Sequence, residues 1–324
     1  MSLLPFEKIK REILLKKESE TNPNYGCEPK KREIKDLINL GIVNINKPEG
    51  PTSHQTSDYV KKILKVSKAG HSGSLDPHVT GCLPIALDDA TRITHFLLTA
   101  GKEYICLMHI HKKVTQSEID KAIEKFKGKI KQIPPIRSAV KRQERTREIY
   151  YIKVLEIKDQ DVLFKVGCQA GTYIRKLCHE IGQEIKTGAH MSQLIRTKAG
   201  PFSDKKMHSL QDLKDSYEFF KQGNETELRK IIKPVENATN HLPKIWVLDS
   251  TIESLCHGNN LKIPGISKLE SEIKENDLVA IFSLKNELIA IGNSLMNSED
   301  MINNEKGLAV NINKVFMKPG TYLK

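Results

Sequence analysis

The chain has 324 residues, and its 52 Lys and Arg outnumber 40 Asp and Glu to give a net charge of +12. That length accommodates two domains and a large core, and the charge favours a polyanionic partner, nucleic acid first. No apolar run reaches the roughly 18 residues of a membrane helix, and the start, MSLLPFEKIKREILLKKESE, turns charged too early for a signal peptide. Six cysteines (Cys27, Cys82, Cys106, Cys168, Cys178, Cys256) are scattered without a CxxC pair. This usage fits reduced thiols in a cytoplasmic protein rather than a disulfide framework or zinc site.

In chain order, the first thirty-odd residues are polar and broken by Pro23, Gly26 and Pro29, which predicts an arm packed on another part of the molecule. Over 42–66 the sequence predicts strand, Pro/Gly turn and helix, with Thr52 and Gln55 as a capping box and Val60, Ile63 and Leu64 at helical spacing. Residues 103–111 read as a strand. Ser117 to Phe126 reads as an amphipathic helix with Ile119, Ile123 and Phe126 on one face, stopped by Gly128. A basic stretch, Arg137 to Arg147, follows Pro134 and Pro135 and lacks helical periodicity, so a loop is expected. Residues 149–157 and 162–168 form a hairpin around a DQD turn. GTYIRKLCHEIGQEI, 171–185, is a helix burying Ile174, Leu177, Cys178 and Ile181, with Arg175 near its start. Residues 203–242 are charged and mostly helical. From Ile245 short β-type runs separated by Gly, Pro and Asn predict a small β-rich domain. The fold class is α+β, with a mixed, largely antiparallel sheet in the main body.

Chemistry centres on HSGSLDPHVTG, 71–81, which suits neither a helix nor a strand. Asp76 caps a turn before Pro77, binds a metal with His71 and His78, or performs catalysis; its position alone leaves the three open. No HExxH or CxxC spacing supports a metal, and His109 and His111 on one strand face read equally well as surface side chains. KPEGPTS, 47–53, matches no phosphate-loop pattern and reads as a turn feeding a helix cap. The arginine-rich stretch is either a solvated face or an RNA contact; its poor periodicity and the overall charge favour RNA. If Asp76 is catalytic, Arg175 is the candidate to hold it ionised.

HSGSLDPHVTGCLPIALDDATRIT resembles the GGTLDPxVTGxLPxxxxxAT motif of the TruB group of pseudouridine synthases. NINKPEGPTSH, AGKEYICLMHIH, QIPPIRSAVKR and GTYIRKLCHEIG agree in order. The N-terminal LPFEKIKREILLKKESETNPNYG, the GAHMSQLIRTKAGPF segment and LPKIWVLDSTIESLCHGNNLKIPGI resemble the H/ACA-guided dyskerin branch in its archaeal form, without the low-complexity tails of eukaryotic members. Ser72, Ser74 and Asn46 stand where the family usually has Gly, Thr and Asp.

The resemblance implies a catalytic domain at 34–242, a PUA domain at 243–324 that grips the ACA end of a guide RNA, and an arm at 1–33 packed on it. It implies Asp76 as the catalytic aspartate, Tyr104 against the target base, Arg175 paired with the carboxylate, and Tyr173, Leu177 and His71 in the substrate pocket. Residues 133–148 correspond to a thumb loop whose Arg137, Ser138, Lys141, Arg142, Arg145 and Arg147 contact RNA. In the PUA domain His257, Gly258 and Lys262 are the expected RNA contacts. The implied activity is isomerisation of uridines, chiefly in rRNA, as the catalytic subunit of an H/ACA ribonucleoprotein. The alternative is guide-independent modification of the tRNA T-loop; a non-catalytic RNA scaffold and a basic DNA-binding module fit the residues less well. Expected partners are guide and substrate RNA, a Gar-type and a Nop-type subunit, and a kink-turn-binding ribosomal-type protein. The isomerisation needs neither redox chemistry nor phosphate energy, so no cofactor or metal is expected, and an aspartate in a pocket that excludes water would act as nucleophile or base.

Overall fold

The strand, turn and helix expected over 42–66 are present in the computed structural model, which describes residues 2–135 and 141–322. Strand Gly41–Lys47 leads into helix Ser53–Leu64. The Gln55 N–H donates to Thr52 Oγ1 at 3.1 Å and the Thr52 N–H to Gln55 Oε1 at 2.8 Å, closing the capping box. The helix then presents buried Val60 and Leu64 to the sheet.

The main body is built on a ten-stranded sheet. From one edge its strands run Lys233–Pro234, Gly41–Lys47, Thr80–Leu87, Ala189–Ala199, Lys102–Ile110, Asp161–Cys168, Arg145–Lys158 and Gly128–Gln132, with Ala69–His71 and Phe202–Ser203 attached beside this path. Among these strands the only parallel pairing joins Thr80–Leu87 to Ala189–Ala199, through Thr80–Ile195 and Gly81–Arg196. The sheet is therefore mixed and largely antiparallel, as the sequence predicts. Helices Gln116–Lys125 and Ile174–Glu184 cover it; their buried Ile119, Ile123, Ile174, Leu177, Cys178 and Ile181 join Cys106, Met108, Phe164 and Val166 in one core.

The C-terminal part forms a seven-stranded sheet. Its outermost strand, Ile13–Leu15, comes from the N-terminal arm and pairs antiparallel with Ile266–Glu270. Arm and C-terminal sheet thus share backbone hydrogen bonds. Two helices, Asp249–Cys256 and Ser298–Asn303, stand where the sequence predicts only turns between short β-type runs. Both are short and polar, and only Ile252, Leu255, Cys256, Ser298 and Met301 in them are buried, too few for a readable period. A third core binds the two sheets together: Ile42, Ala90 and Phe96 from the main body meet Trp246, Phe282 and Phe316.

The helix expected over Ser117 to Phe126 runs Gln116–Lys125 and stops before Gly128, which at φ +86° opens the next strand. One further expectation changes. The basic stretch is only partly a loop: Arg145 and Arg147 lie in the long strand Arg145–Lys158, paired there with Gln132 and Ile130, while Lys141 and Arg142 precede it and are exposed. Arg137 and Ser138 lie outside the described residues.

Candidate active site

Three neighbouring strands bring the site together. Gly81, Arg196 and Tyr104 stand abreast across Thr80–Leu87, Ala189–Ala199 and Lys102–Ile110. The segment carrying Asp76 therefore ends one strand away from Tyr104, with Arg196 on the strand between them.

That segment, 72–79, has no regular structure and is held by a few backbone bonds, such as the Val79 N–H to the Asp76 carbonyl at 3.0 Å, and by side chains from elsewhere. The Leu75 N–H donates to Ser53 Oγ at 2.7 Å, and the Ser53 hydroxyl donates back to the Leu75 carbonyl at 3.2 Å. Lys47, with no exposed surface, donates Nζ to the carbonyls of Pro48, Pro77 and Val79 at 2.8, 3.0 and 3.0 Å. Arg196, equally buried, donates Nη2 to the Gly73 carbonyl at 3.1 Å and Nε to the Cys82 carbonyl at 2.7 Å. Leu75 and Val79 anchor the segment in the core on either side of Asp76. An irregular backbone cannot satisfy its own carbonyls, so these donors remove a penalty of about 1–3 kcal/mol for each group left unpaired.

Asp76 itself points outward and forms an ion pair with Arg175, the second residue of helix Ile174–Glu184. Both side chains are about half exposed, 53% for Asp76 and 56% for Arg175. The chain alone therefore does not exclude water from this carboxylate, contrary to the expectation of a dry pocket.

Tyr104 is buried in the core that also holds Leu75 and Val79, which flank Asp76. Burial pushes its phenol up to about 12, against a smaller opposing pull from Arg196, so the hydroxyl stays protonated at neutral pH. Lys102, on the same strand face, donates Nζ to the carbonyls of Leu97, Leu98 and Ala100 at 2.9, 3.2 and 2.7 Å. Burial first, and Arg196 second, push its ammonium down to about 7. His71 is half-buried; burial, then Arg196 and His54, lower its pKa, which suits a neutral ring accepting from the Gly73 N–H at 3.4 Å.

Of the expected pocket residues, Tyr173 caps the helix that carries Arg175. Leu177 is fully buried, as the helical spacing of 171–185 predicts, in the core that also holds Leu75, Val79 and Tyr104. Arg147 lies against the turn before this helix, its Nε 3.0 Å from where a Cβ on Gly171 would stand. In the C-terminal domain His257, Gly258 and Lys262 are exposed together at the end of helix Asp249–Cys256 and the strand after it, with His257 Nε2 3.0 Å from Glu253. His78 pairs with Glu49 on the surface rather than with His71. His109 Nδ1 pairs with Asp161 and His111 Nε2 with His190, and among the described residues no group of three His, Cys, Asp or Glu is arranged to hold a metal ion.

Lys47, Ser53, Lys102, Arg196 and Gln132 were not foreseen. Each lies within a segment quoted for its resemblance, but a buried polar side chain bound to distant carbonyls leaves no periodic trace in sequence.

A mixed sheet that mounts one carboxylate against one arginine, joined to a second β domain, has the form of an enzyme with an appended module. The chain belongs to the TruB family of pseudouridylate synthases. Residues 61–174 match the N-terminal domain of that family, 175–240 the C-terminal domain of tRNA pseudouridylate synthase B, 243–316 the PUA domain and 2–57 the DKCLD (NUC011) domain. The chain is 52% identical to a probable tRNA pseudouridine synthase B of Pyrococcus furiosus, over 99% of this chain and 95% of that one. It is 50% identical to the corresponding protein of Methanopyrus kandleri, again over 99% and 95%. Among solved structures it superposes on a Cbf5-Nop10-Gar1 complex with a TM-score of 0.94 at 52% identity, covering 99% of this chain and 98% of that one. A structure of an H/ACA RNP bound to a substrate RNA containing 2′-deoxyuridine gives a TM-score of 0.93 at 49% identity, covering 99% of both chains. No helix among the described residues is long and apolar enough to cross a membrane.

Proposed function

We propose that this chain converts uridines in RNA to pseudouridines as the catalytic subunit of an H/ACA guide ribonucleoprotein, with Asp76 as the catalytic carboxylate. The observation that carries the reading is the Asp76–Arg175 ion pair at the tip of a segment clamped by Lys47, Ser53 and Arg196. The solved neighbours, one an assembly with Nop10 and Gar1 and one an H/ACA RNP holding substrate RNA, support the same setting and the same kinds of partner.

The reaction breaks the bond between ribose C1′ and N1 of the base, turns the base, and joins C1′ to C5; the C5 proton leaves and N1 takes a proton up, so the composition is unchanged. Asp76 acts at the sugar as nucleophile or as the base that takes a proton. Arg175 favours its ionised form. Tyr104, protonated, offers its ring to the base and its hydroxyl as a donor. The half-exposed carboxylate is screened from water by the substrate itself, so RNA docking completes the site. Tyr173 and His71 border the base, and Lys141, Arg142, Arg145 and Arg147 contact the RNA backbone from the thumb side. The division into an arm at 1–33, a catalytic domain at 34–242 and a PUA domain at 243–324 belongs to this proposal. In it, His257, Gly258 and Lys262 meet the guide RNA. The protein acts in the cytoplasm on rRNA.

A second reading, guide-independent action on the tRNA T-loop, is favoured by the relatives that are probable tRNA pseudouridine synthases. Mapping pseudouridine in rRNA and tRNA after reconstitution with and without guide RNA separates the two. Asp76→Asn abolishes product while guide-RNA affinity stays within about 2-fold; retained turnover by this variant removes the assignment.

A further inference from the structure

The helix that aims Arg175 has no side-chain cap of its own: Tyr173 occupies the N-cap without a side-chain hydrogen bond to the first turn. Its opening residue is instead gripped from outside by a single amide. Gln132, 2% exposed, accepts the Tyr173 N–H on Oε1 at 3.0 Å and donates Nε2 to the Tyr173 carbonyl at 3.3 Å. That carbonyl also accepts the Leu177 N–H at 3.0 Å, the first bond of the helix. The same Nε2 lies 3.2 Å from Glu180 Oε2, so the amide bridges the helix start and a residue two turns further along. Glu180 in turn pairs with Lys176 at 3.2 Å.

Gln132 is the last residue of strand Gly128–Gln132, directly opposite Arg145 in the antiparallel register. The Arg147 guanidinium, two residues beyond Arg145, rests on Gly171 in the turn that enters the helix. One cross-strand pair thus carries a basic RNA contact on one strand and, on the other, the amide that fixes the start of the Arg175 helix. The side chain is buried and its polar groups are fully used, which makes its position well determined.

We propose that Gln132 is a positioning residue for the isomerisation: by holding both backbone groups of Tyr173 it sets the height and rotation of the helix start, and so the pairing of Arg175 with Asp76. This rests on the reading of Asp76 and Arg175 as the catalytic pair. Tyr173 and Arg175 are two residues apart, so movement of one displaces the other, and a misplacement of about 1 Å at a reacting group can cost on the order of 100-fold in rate. The link also joins RNA contact at Arg145 and Arg147 to the geometry of the carboxylate.

Gln132→Met keeps the side-chain volume and removes both hydrogen bonds to Tyr173. In the reconstituted ribonucleoprotein, single-turnover pseudouridine formation is followed from pH 4.5 to 8, with RNA affinity and thermal melting measured on the same variant. The expected result is a rate at least 10-fold lower, RNA affinity within about 2-fold, and an acidic limb displaced to higher pH, because a looser Arg175 stabilises the Asp76 carboxylate less. A wild-type rate with an unmoved acidic limb overturns the proposal, and so does a loss of rate that follows RNA affinity alone. If Gln132→Met does not fold, Gln132→Glu replaces it: it keeps an acceptor for the Tyr173 N–H but loses the donor and faces Glu180. A wild-type rate and pH profile in that variant overturns the proposal equally. Asp76→Asn runs alongside: if it stays active, the catalytic reading itself fails, whereas a dead Asp76→Asn beside a wild-type Gln132→Met removes the positioning role alone.

Discussion

Lys47 donates its buried ammonium to the carbonyl of Pro77, 30 residues further on and next to Asp76 in the chain. The same nitrogen reaches Val79 and Pro48, so one side chain replaces the backbone pairing that the irregular segment cannot make for itself. Burial lowers the Lys47 pKa, yet three carbonyl acceptors surround the group. Lys47→Met removes this donor from the Pro48 and Val79 carbonyls, while the Pro77 carbonyl keeps the Gly50 N–H at 3.0 Å. The expected loss is about 2–4 kcal/mol in unfolding free energy, measured by urea denaturation, together with loss of pseudouridine formation as the Asp76 segment loosens.

Gly81 and Gly70 give opposite expectations for the same substitution. Gly81 has φ +103°, and a Cβ there would stand 2.3 Å from the Arg196 carbonyl oxygen, a backbone atom that cannot move without the strand. Gly81→Ala is expected to cost about 2–4 kcal/mol and to disturb the register beside Asp76. Gly70 has its nearest obstacle, Thr94 Cγ2, at an ordinary 3.6 Å, and Gly70→Ala stays within about 0.5 kcal/mol of the parent. Melting curves of the two variants compare them directly.

Arg32 and Glu236 join the arm to the main body by a two-pronged ion pair of 2.6 and 3.0 Å, both side chains about nine-tenths buried. Glu236 Oε1 also accepts the Leu288 N–H of the C-terminal sheet at 3.0 Å, so one carboxylate ties three segments. Arg32→Met leaves that charge buried without its cation and is expected to cost about 3–5 kcal/mol. The double variant Arg32→Met, Glu236→Met is expected to recover part of the loss, because no lone buried charge remains. A double-mutant cycle from denaturant titrations measures this coupling.

His241 supplies a pH dependence. Burial pushes its imidazole down to about 4, and among the described residues its buried Nδ1 has no hydrogen-bond partner. The folded chain therefore keeps the ring neutral while the unfolded chain protonates near the ordinary value of 6.5. Between those values the unfolded state binds the extra proton. Stability is full above pH 6.5 and falls as the pH drops towards 4. The ring is only partly screened from solvent, so the expected contribution is about 1–2 kcal/mol. His241→Phe, which keeps the edge-on contact with Phe6, should flatten this part of the stability-against-pH curve.

The sequence by itself determined the order of elements and the candidate carboxylate. Thr52 and Gln55 announce a helix start, because a capping box is local. The alternation of Val162, Phe164, Val166 and Cys168 announces a strand, because one face must be buried whatever it packs on. The family motif likewise sits in contiguous residues, so Asp76, Tyr104 and Arg175 were named without coordinates. The helices at Asp249–Cys256 and Ser298–Asn303 were missed because each buries too little to leave a period.

Only the tertiary structure decided how the site is held. Asp76 and Arg175 are 99 residues apart and pair because a helix start and an irregular segment meet above the same strands. Lys47, Arg196 and Gln132 are charged or polar residues that sequence reasoning sends to the surface, since burial of such groups is costly unless paired. Their partners are backbone carbonyls and amides of other segments, and a carbonyl has no residue identity to read. Leu177 shows the converse. Helical spacing already marked it as buried, and the tertiary structure alone set it in one core with Leu75, Val79 and Tyr104 from distant segments.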